Sequence, residues 1–334
     1  MTVEEKKLVY GQFYTKENAW LKKQVLDFIY TSNCDIAYDP FAGAGDLLSV
    51  AKKLGFNKTI GLDIDKTLNW QINDSLINIP HVDNAIIITN PPYLSNYSAS
   101  RKKLKNELTK YFSLSKYDNL YLIALEKMLL AQENVVAIIP ETFINAKFLL
   151  KNRLKSLTII EDNLFNDTET PVVVACFDGR IKSLNEVLIY KNDKFIDSLG
   201  ALEEKRIAPL NNCKMSFNDK NGWLGVRCVD STDPVWKLRF DYKEKIDYNW
   251  EKGIKNSSRL LTLIQIDIPK NKRSIFIEEC NKLLNQIREE TQDIILSPFK
   301  GNMKNGIRRR RLDFFTCRAI IERAYYKVAN LSCN

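Results

Sequence analysis

Through its first half the chain sets short, almost continuously apolar blocks between segments of helical period. Ile36–Asp39, Lys58–Leu62, Ala85–Thr89, Val135–Ile139, Leu157–Ile160 and Pro171–Phe177 read as strands, with a weaker one near Trp70–Asn73. Residues 17–31 place Leu21, Val25, Phe28 and Ile29 on one helical face. Asp46–Leu54 reads as a helix closed by Gly55, and helices are also predicted over 118–133 and Glu141–Leu154. Apolar strands alternating with helices predict an α/β fold, a doubly wound and mostly parallel sheet of seven strands. After about residue 190 the alternation is lost, leaving a β-like piece at Leu260–Ile268, scattered Trp and Tyr, and a helix near Leu312–Val328. Two domains are expected, 1–188 and a smaller mixed one at 189–334.

In open parallel sheets ligands gather at the carboxyl ends of the strands. Asp39, Asp63, Asp74 and Asn90 all fall at or just past predicted strand ends. Gly43 and Gly45 occupy the first strand-to-helix turn, where a missing side chain lets a ligand approach the backbone. Leu48 stands where the third glycine of a dinucleotide fingerprint would be, and no Walker lysine follows. Asp39 would repel a pyrophosphate and suits an ammonium group. Asp63 is placed for both hydroxyls of a ribose, and Asp74 for an adenine amine. An amino-acid end, a ribose and an adenine together describe S-adenosyl-L-methionine better than a dinucleotide. Taken singly, each aspartate would read as a helix or turn cap.

The strand Ala85–Thr89 delivers Asn90-Pro91-Pro92-Tyr93. Two prolines fix the backbone and remove two N–H donors, so carbonyl oxygens there meet no competing donor. The Asn90 amide can accept from an NH₂ group, and the Tyr93 ring can stack on a flat one.

With these residues the chain resembles the N6-adenine-specific DNA methyltransferases of gamma-type motif order, as found in restriction-modification systems. Gly11-Gln12-Phe13-Tyr14-Thr15 is similar to that group's N-terminal motif, and Asp39-Pro40-Phe41-Ala42-Gly43-Ala44-Gly45 to its cofactor turn. Asn119-Leu120-Tyr121 with Glu126-Lys127 resembles the helix behind the cofactor, and Leu164-Phe165 with Thr168 and Pro171–Val174 the later motif with a second base-stacking aromatic. The resemblance implies the S-adenosylmethionine-dependent methyltransferase fold and a cofactor set of Thr15, Asp39, Phe41, Gly43, Gly45, Asp63, Ile64 and Asp74. It implies a catalytic set of Asn90, Pro91, Pro92, Tyr93 and Phe165 acting on a flipped adenine. It covers roughly residues 10–180; beyond about 190 nothing resembles the group.

The formal charge of +9 is unevenly placed. In Phe299–Lys327 nine basic residues stand against Asp313 and Glu322, leaving +7 in that segment. Lys300, Lys304, Arg308, Arg309, Arg310 and Arg311, with Gly301, Asn302, Asn305 and Gly306 among them, suggest a loop that approaches a DNA backbone. Arg101, Lys102, Lys103 and Lys105, just past the catalytic tetrapeptide, suggest a flap that orders on DNA. A solvated charged face is the plainer alternative for the first run, and a surface helix for the second. Double-stranded DNA is thus the expected partner, with a cognate endonuclease acting independently, and 189–334 the expected target-recognition domain.

Other chemistries are narrowed by composition. His81 is the only histidine, so any His-based triad or dyad would have to use it; beside Pro80 in a predicted loop, it reads as structural. Seven cysteines occur with no CxxC spacing, so neither a disulfide framework nor a zinc site is expected, and a reducing cytoplasm is. No apolar run reaches membrane-spanning length, and the N-terminus carries no signal-peptide pattern. The protein is therefore expected in a prokaryotic or viral cytoplasm, at the nucleoid through DNA. No Pro-Cys occurs for cytosine-C5 chemistry. Methylation of RNA adenine or of a protein glutamine amide, which uses the same tetrapeptide, is the nearest rival reading; N4-cytosine methylation is a further alternative, although its enzymes more often carry Ser at the Asn90 position. The basic region following the core favours DNA over RNA or protein, and the intact Asn90-Pro91-Pro92-Tyr93 motif argues against a non-catalytic DNA-binding subunit.

Overall fold

The computed structural model describes residues 18–101, 105–162, 164–165, 169–254 and 260–330. Its contacts fall into two compact units, Met1–Ala201 and Leu202–Asn334. The boundary expected after residue 188 lies inside the first unit, at the head of a strand of its sheet.

The first unit is built on β1 (Ile36–Asp39), β2 (Lys58–Asp63), β3 (Gln71–Ile72), β4 (Ala85–Thr89), β5 (Asn134–Pro140), β6 (Leu154–Ile160) and β7 (Val172–Asp178). Among the described residues these stand in the order β3-β2-β1-β4-β5-β7-β6, and two more strands extend the β6 edge. Strands β1 to β5 are parallel where they pair, while β7 runs antiparallel to both its neighbours. Only residues 161–171 join β6 to β7. That is short for a parallel crossover with its helix, so the chain returns antiparallel. The extra pair, β8 (Leu188–Lys191) and β9 (Lys194–Ser198), is a hairpin turned by Asn192-Asp193, with Asn192 at φ 50°.

On one sheet face α1 (Lys23–Thr31) and α2 (Asp46–Lys53) bury Val25, Phe28, Ile29, Leu47, Leu48 and Val50 against Ile86, Ile88, Val136 and Val174. Two short helices, α3 (Asn96–Arg101) and α4 (Lys105–Ser113), follow the tetrapeptide and lead into α5 (Leu120–Ala131). Nine of the twelve α5 residues are buried, which explains its apolar character all round. Tyr121 of α5 meets Phe143, which meets Phe177 on the other sheet face.

Two predicted elements change. The first helix begins at Lys23 because Asn18–Trp20 form a turn that buries Trp20 completely. The helix expected over Glu141–Leu154 is two 3-10 turns, Glu141–Asn145 and Leu149–Arg153, and Leu154 already belongs to β6. Between them the chain is extended at Ala146, and Lys151 Nζ donates to the carbonyls of Ile144 (2.7 Å) and Ala146 (3.2 Å) left free by the break.

A short helix, α6 (Leu199–Glu204), spans the division between the units. The second unit is mixed, as expected. An antiparallel sheet β10-β13-β11-β12 comprises Met215–Phe217 (β10), Leu224–Arg227 (β11), Arg239–Tyr242 (β12) and Leu261–Ile266 (β13). Helix α7 (Arg273–Glu290) closes the β12 edge, the Asn281 amide donating to the Phe240 carbonyl and accepting its N–H, both at 2.9 Å. A hairpin, β14 (Ser297–Asn302) and β15 (Arg308–Arg311), precedes α8 (Phe314–Asn330), which packs on α7.

The polar centre of this unit is Asp230, fully buried. It accepts from the Leu238 N–H (2.9 Å), the Arg310 N–H (3.0 Å) and two nitrogens of Arg288 (2.9 and 3.0 Å). Arg288 also forks onto Asp293. Removing one partner of a buried pair leaves the other uncompensated. Arg288→Met should therefore destabilise the second unit by roughly 3–5 kcal/mol, read as a shifted urea midpoint.

Candidate active site

The chain leaves β1 towards β2 on one side and later places β4 on the other, so the sheet reverses its winding beside β1. Crevices open at such switch points. The glycine turn leaves β1 there, and the Asn90 tetrapeptide leaves β4 immediately alongside.

Two carboxylates tie these ends together. Asp39 Oδ1 accepts from the Phe41 N–H (3.0 Å) and from the Thr89 hydroxyl (2.5 Å), joining β1 to the residue before Asn90. Both Asp39 and Thr89 are buried. Asp63 Oδ2 accepts from the Gly43 N–H (2.9 Å) and its Oδ1 from the Asp65 N–H (2.8 Å), holding the glycine turn against the end of β2. Asp63 is only 5% exposed, so in this conformation it acts first as a clasp on the turn; each oxygen keeps a second lone pair. Ile64, next to it, is 52% exposed, an uncovered apolar side chain at the strand end.

Trp70 completes the turn and was not singled out as a site residue from the sequence. Its Nε1 donates to the Gly43 carbonyl (2.8 Å), and its ring lies where a Cβ on Gly45 or Gly61 would come within 2.8 or 2.4 Å. Gly43 and Gly45 also have φ of 51° and 86°, a region that side chains disfavour. A tryptophan after the β2 acid, with glycine two residues before that acid, was the available signal.

Asp74 follows β3, and its Oδ2 accepts from Lys110 Nζ and the Tyr111 hydroxyl, both at 2.9 Å. Helix α4 thus reaches back to the acid assigned to the adenine amine. Nothing in the sequence spacing connects these positions.

Tyr93 points its hydroxyl inward, within 2.7 Å of the Ile138 carbonyl and 2.5 Å of Asn90 Oδ1. Burial holds the phenol well above its ordinary pKa, so it stays protonated. Pro91 is buried and Asn90 half-buried. Phe165 is 1% exposed and meets Tyr93 edge-on, centroids 6.3 Å apart at 68°. The two rings are near each other, as the resemblance implied, but they touch edge to face and leave no slot for a parallel base. Phe165 is part of the core as it stands.

The basic run is corrected in part. Arg308–Arg311 form strand β15, and strand alternation turns every second side chain inward. Arg310 is 1% exposed and Arg308 7%, so both pack inside the unit. Arg309 lies over the Phe299 ring at 4.8 Å and donates to the Asp230 and Lys300 carbonyls. Arg311 is half-buried, and Lys300 and Lys304 are exposed. Gly301 and Asn302 belong to β14, while Asn305 and Gly306 lie in the connection 303–307 that turns the hairpin. Thr15 and the rest of its motif, Lys102, Lys103 and Thr168 lie outside the described residues, as do the side chains of Arg101 and Lys105.

No protein-family model matches the chain, and no curated protein matches it in sequence. Among solved structures it is similar to a Listeria monocytogenes protein assigned as a class I S-adenosylmethionine-dependent methyltransferase, at 16% identity over 56% of this chain and 67% of that one, with a TM-score of 0.40. It is similar to a type I restriction-modification methyltransferase subunit from Streptococcus thermophilus, at 17% identity, 56% and 50% coverage and a TM-score of 0.39. The M protein of the type I restriction enzyme EcoKI is 12% identical, with 84% and 72% coverage and a TM-score of 0.38. The chain spans half the length of the Streptococcus subunit. Identities this low leave the site to be judged on its own geometry.

Burial raises the Asp39 carboxyl to about 7, against the opposing pull of its bonds from Thr89 and Phe41. Ionised Asp39 is therefore penalised in the fold. Below about pH 4 it is protonated folded or unfolded and the penalty is absent; the penalty grows as pH rises and is complete above about pH 7. Asp39→Asn keeps an acceptor for Thr89 without the charge. Wild type should lose roughly 2–4 kcal/mol relative to Asp39→Asn between pH 5 and pH 8, measured from urea midpoints; parallel pH curves would show that Asp39 does not titrate there.

Proposed function

We propose that this protein is an S-adenosyl-L-methionine-dependent methyltransferase that methylates the N6 amine of an adenine in duplex DNA, the modification enzyme of a restriction-modification system. The observation that carries this is the junction of the Asp39–Thr89 and Asp63–Gly43 bonds, which holds a glycine turn beside Asn90-Pro91-Pro92-Tyr93 at a sheet switch point.

The residues present fit the cofactor. Asp39 is a buried acid at the glycine turn, and a bound ammonium would favour its ionised form. Glycines at 43 and 45 leave backbone accessible, Ile64 offers an apolar surface for a purine, and Asp74 could accept its amine. When bound, the cofactor supplies an activated methyl on a sulfonium.

An adenine amine is a weak nucleophile because its lone pair is delocalised into the ring. The Asn90 side-chain oxygen and the Pro91 carbonyl would accept its two hydrogens and localise that pair on nitrogen, with no covalent intermediate on the protein. Tyr93 would hold the ring by stacking. A base within a duplex does not reach such a pocket, so flipping is required, at a few kcal/mol of unstacking. Phe165 would take the second face only after its edge-on contact with Tyr93 opens. Lys300, Lys304, Arg101, Lys102, Lys103 and Lys105 remain candidates for backbone contact, and a cognate endonuclease would cut the same site unmodified.

Asn90→Ala should lower methyl transfer to DNA at least 100-fold while cofactor binding by calorimetry stays within twofold. Full transfer by that variant, scored with a radiolabelled methyl donor and by modified-base sequencing, would sink the mechanism. Tyr93→Phe should also be slower than wild type, by roughly 3- to 10-fold, because the lost hydroxyl fixes Asn90 as well as the ring. Tyr93→Ala should be slower still, since it loses the stacking surface.

A further inference from the structure

Two arginines face each other across adjacent strands of the second unit. Arg227 of β11 is paired directly with Arg239 of β12, which puts both side chains on the same face of the sheet. Both guanidinium groups lie against Trp236, 5.5 and 5.1 Å from its ring centre. Just past the end of β11, Val229 is bridged to Arg311. The alternate residues of β11, Leu224 and Val226, point into the core.

Such an arrangement works against the fold. Like charges directly opposite on neighbouring strands repel, and burial deepens the cost. The counter-charges are weak. Asp241 stands 3.8 Å from Arg239, and Asp247 acts on Arg227 only through its field. Arg239 donates to the Lys245 carbonyl at 2.7 Å. The Arg227 side chain makes no hydrogen bond and no ion pair among the described residues, and its Nε is buried. Burial, and then the charge of Arg239, pull its pKa below the ordinary arginine value. By contrast Arg288, also half-sequestered in this unit, is given two carboxylates. Arg227 is thus a half-buried fork of donors that has been oriented by an aromatic face and left without an acceptor.

We propose that Arg227 and Arg239, held against Trp236, form a phosphate fork that takes one phosphodiester of the DNA backbone. The proposal rests on the reading of duplex DNA as substrate. A phosphate between the two guanidinium groups would accept in-plane N–H bonds from both and cancel the repulsion that the free protein carries. Contact with the Trp236 ring restricts both side chains in advance, so less side-chain freedom is lost on binding. A contact of this kind sets register and orientation on the duplex and reads no sequence.

The test uses the full-length protein, a fluorescently labelled 30-base-pair duplex and anisotropy titrations at several salt concentrations, with thermal melts of the DNA-free protein. For Arg227→Gln we expect about a tenfold weaker affinity, and a salt slope shallower by about one. Its melting temperature should be no lower than that of wild type, because a repulsive pair has been removed. Arg227→Lys, which keeps the charge without the fork, should fall between the two in affinity. An unchanged affinity, an unchanged salt slope, or a loss of affinity that follows a lowered melting temperature each overturns the fork. If wild type transfers methyl groups to the duplex and Arg227→Gln binds it equally well, the fork alone is wrong. If wild type neither binds nor methylates duplex DNA, the substrate reading fails with it.

Discussion

Two buried carboxylates hold the working edge of the first unit in place. Asp39 grips the Thr89 hydroxyl and Asp63 grips the Gly43 N–H, so the ends of β2, β1 and β4 are stitched side by side. Without those bonds the glycine turn and the Asn90 tetrapeptide would be two loops that happen to leave neighbouring strands. With them, Asn90 begins one residue from a fully buried anchor, and the turn is locked to the acid beside it. The stitching is expensive, since Asp39 is pushed up to about 7 by its burial. Acidic groups held in a neutralisable state at a strand end are what a cationic ligand can repay on binding.

The second unit treats positive charge in three ways, each set by a different physical demand. Arg288 is neutralised by Asp230 and Asp293 and serves the core. Arg308 and Arg310 are swallowed by strand alternation, their backbone and stems packed against neighbouring chain. Arg227 and Arg239 are kept half-exposed and mutually repelling on an aromatic support. Sequence charge runs do not distinguish these fates, because four consecutive arginines in a strand necessarily divide between two faces.

Much of the first sheet was legible residue by residue. The bounds of Ile36–Asp39 and Ala85–Thr89 agree with the observed strands, because apolar runs of four or five residues with polar ends are too short for a buried helix such as α5 and fit a buried parallel strand. Glu141–Leu154 imitates a helix in sequence because Phe143, Ile144 and Phe148 fall near helical spacing, although they belong to one 3-10 turn and the extended entry to a second. The long helix α7 was missed altogether. Its buried positions, Phe276, Ile277, Cys280, Leu284 and Ile287, form a thin stripe among charged residues. Trp70, Lys110 and Tyr111 lay outside any motif, since their partners Gly43 and Asp74 are 27 to 37 residues distant in sequence.

By itself the sequence determined the α/β class, the order of the strands that bear chemistry, and the identity of the acids, glycines and the Asn90 tetrapeptide at their ends. Those follow from local properties: side-chain period, backbone freedom and the donor inventory of each residue. Only the tertiary structure decided which groups face one another. It set Thr89 against Asp39 and Tyr111 against Asp74, pressed Phe165 edge-on to Tyr93, buried Arg310 and left Arg227 opposite Arg239. Pairing register and burial are properties of the closed sheet as a whole, and no window of sequence short of the fold contains them.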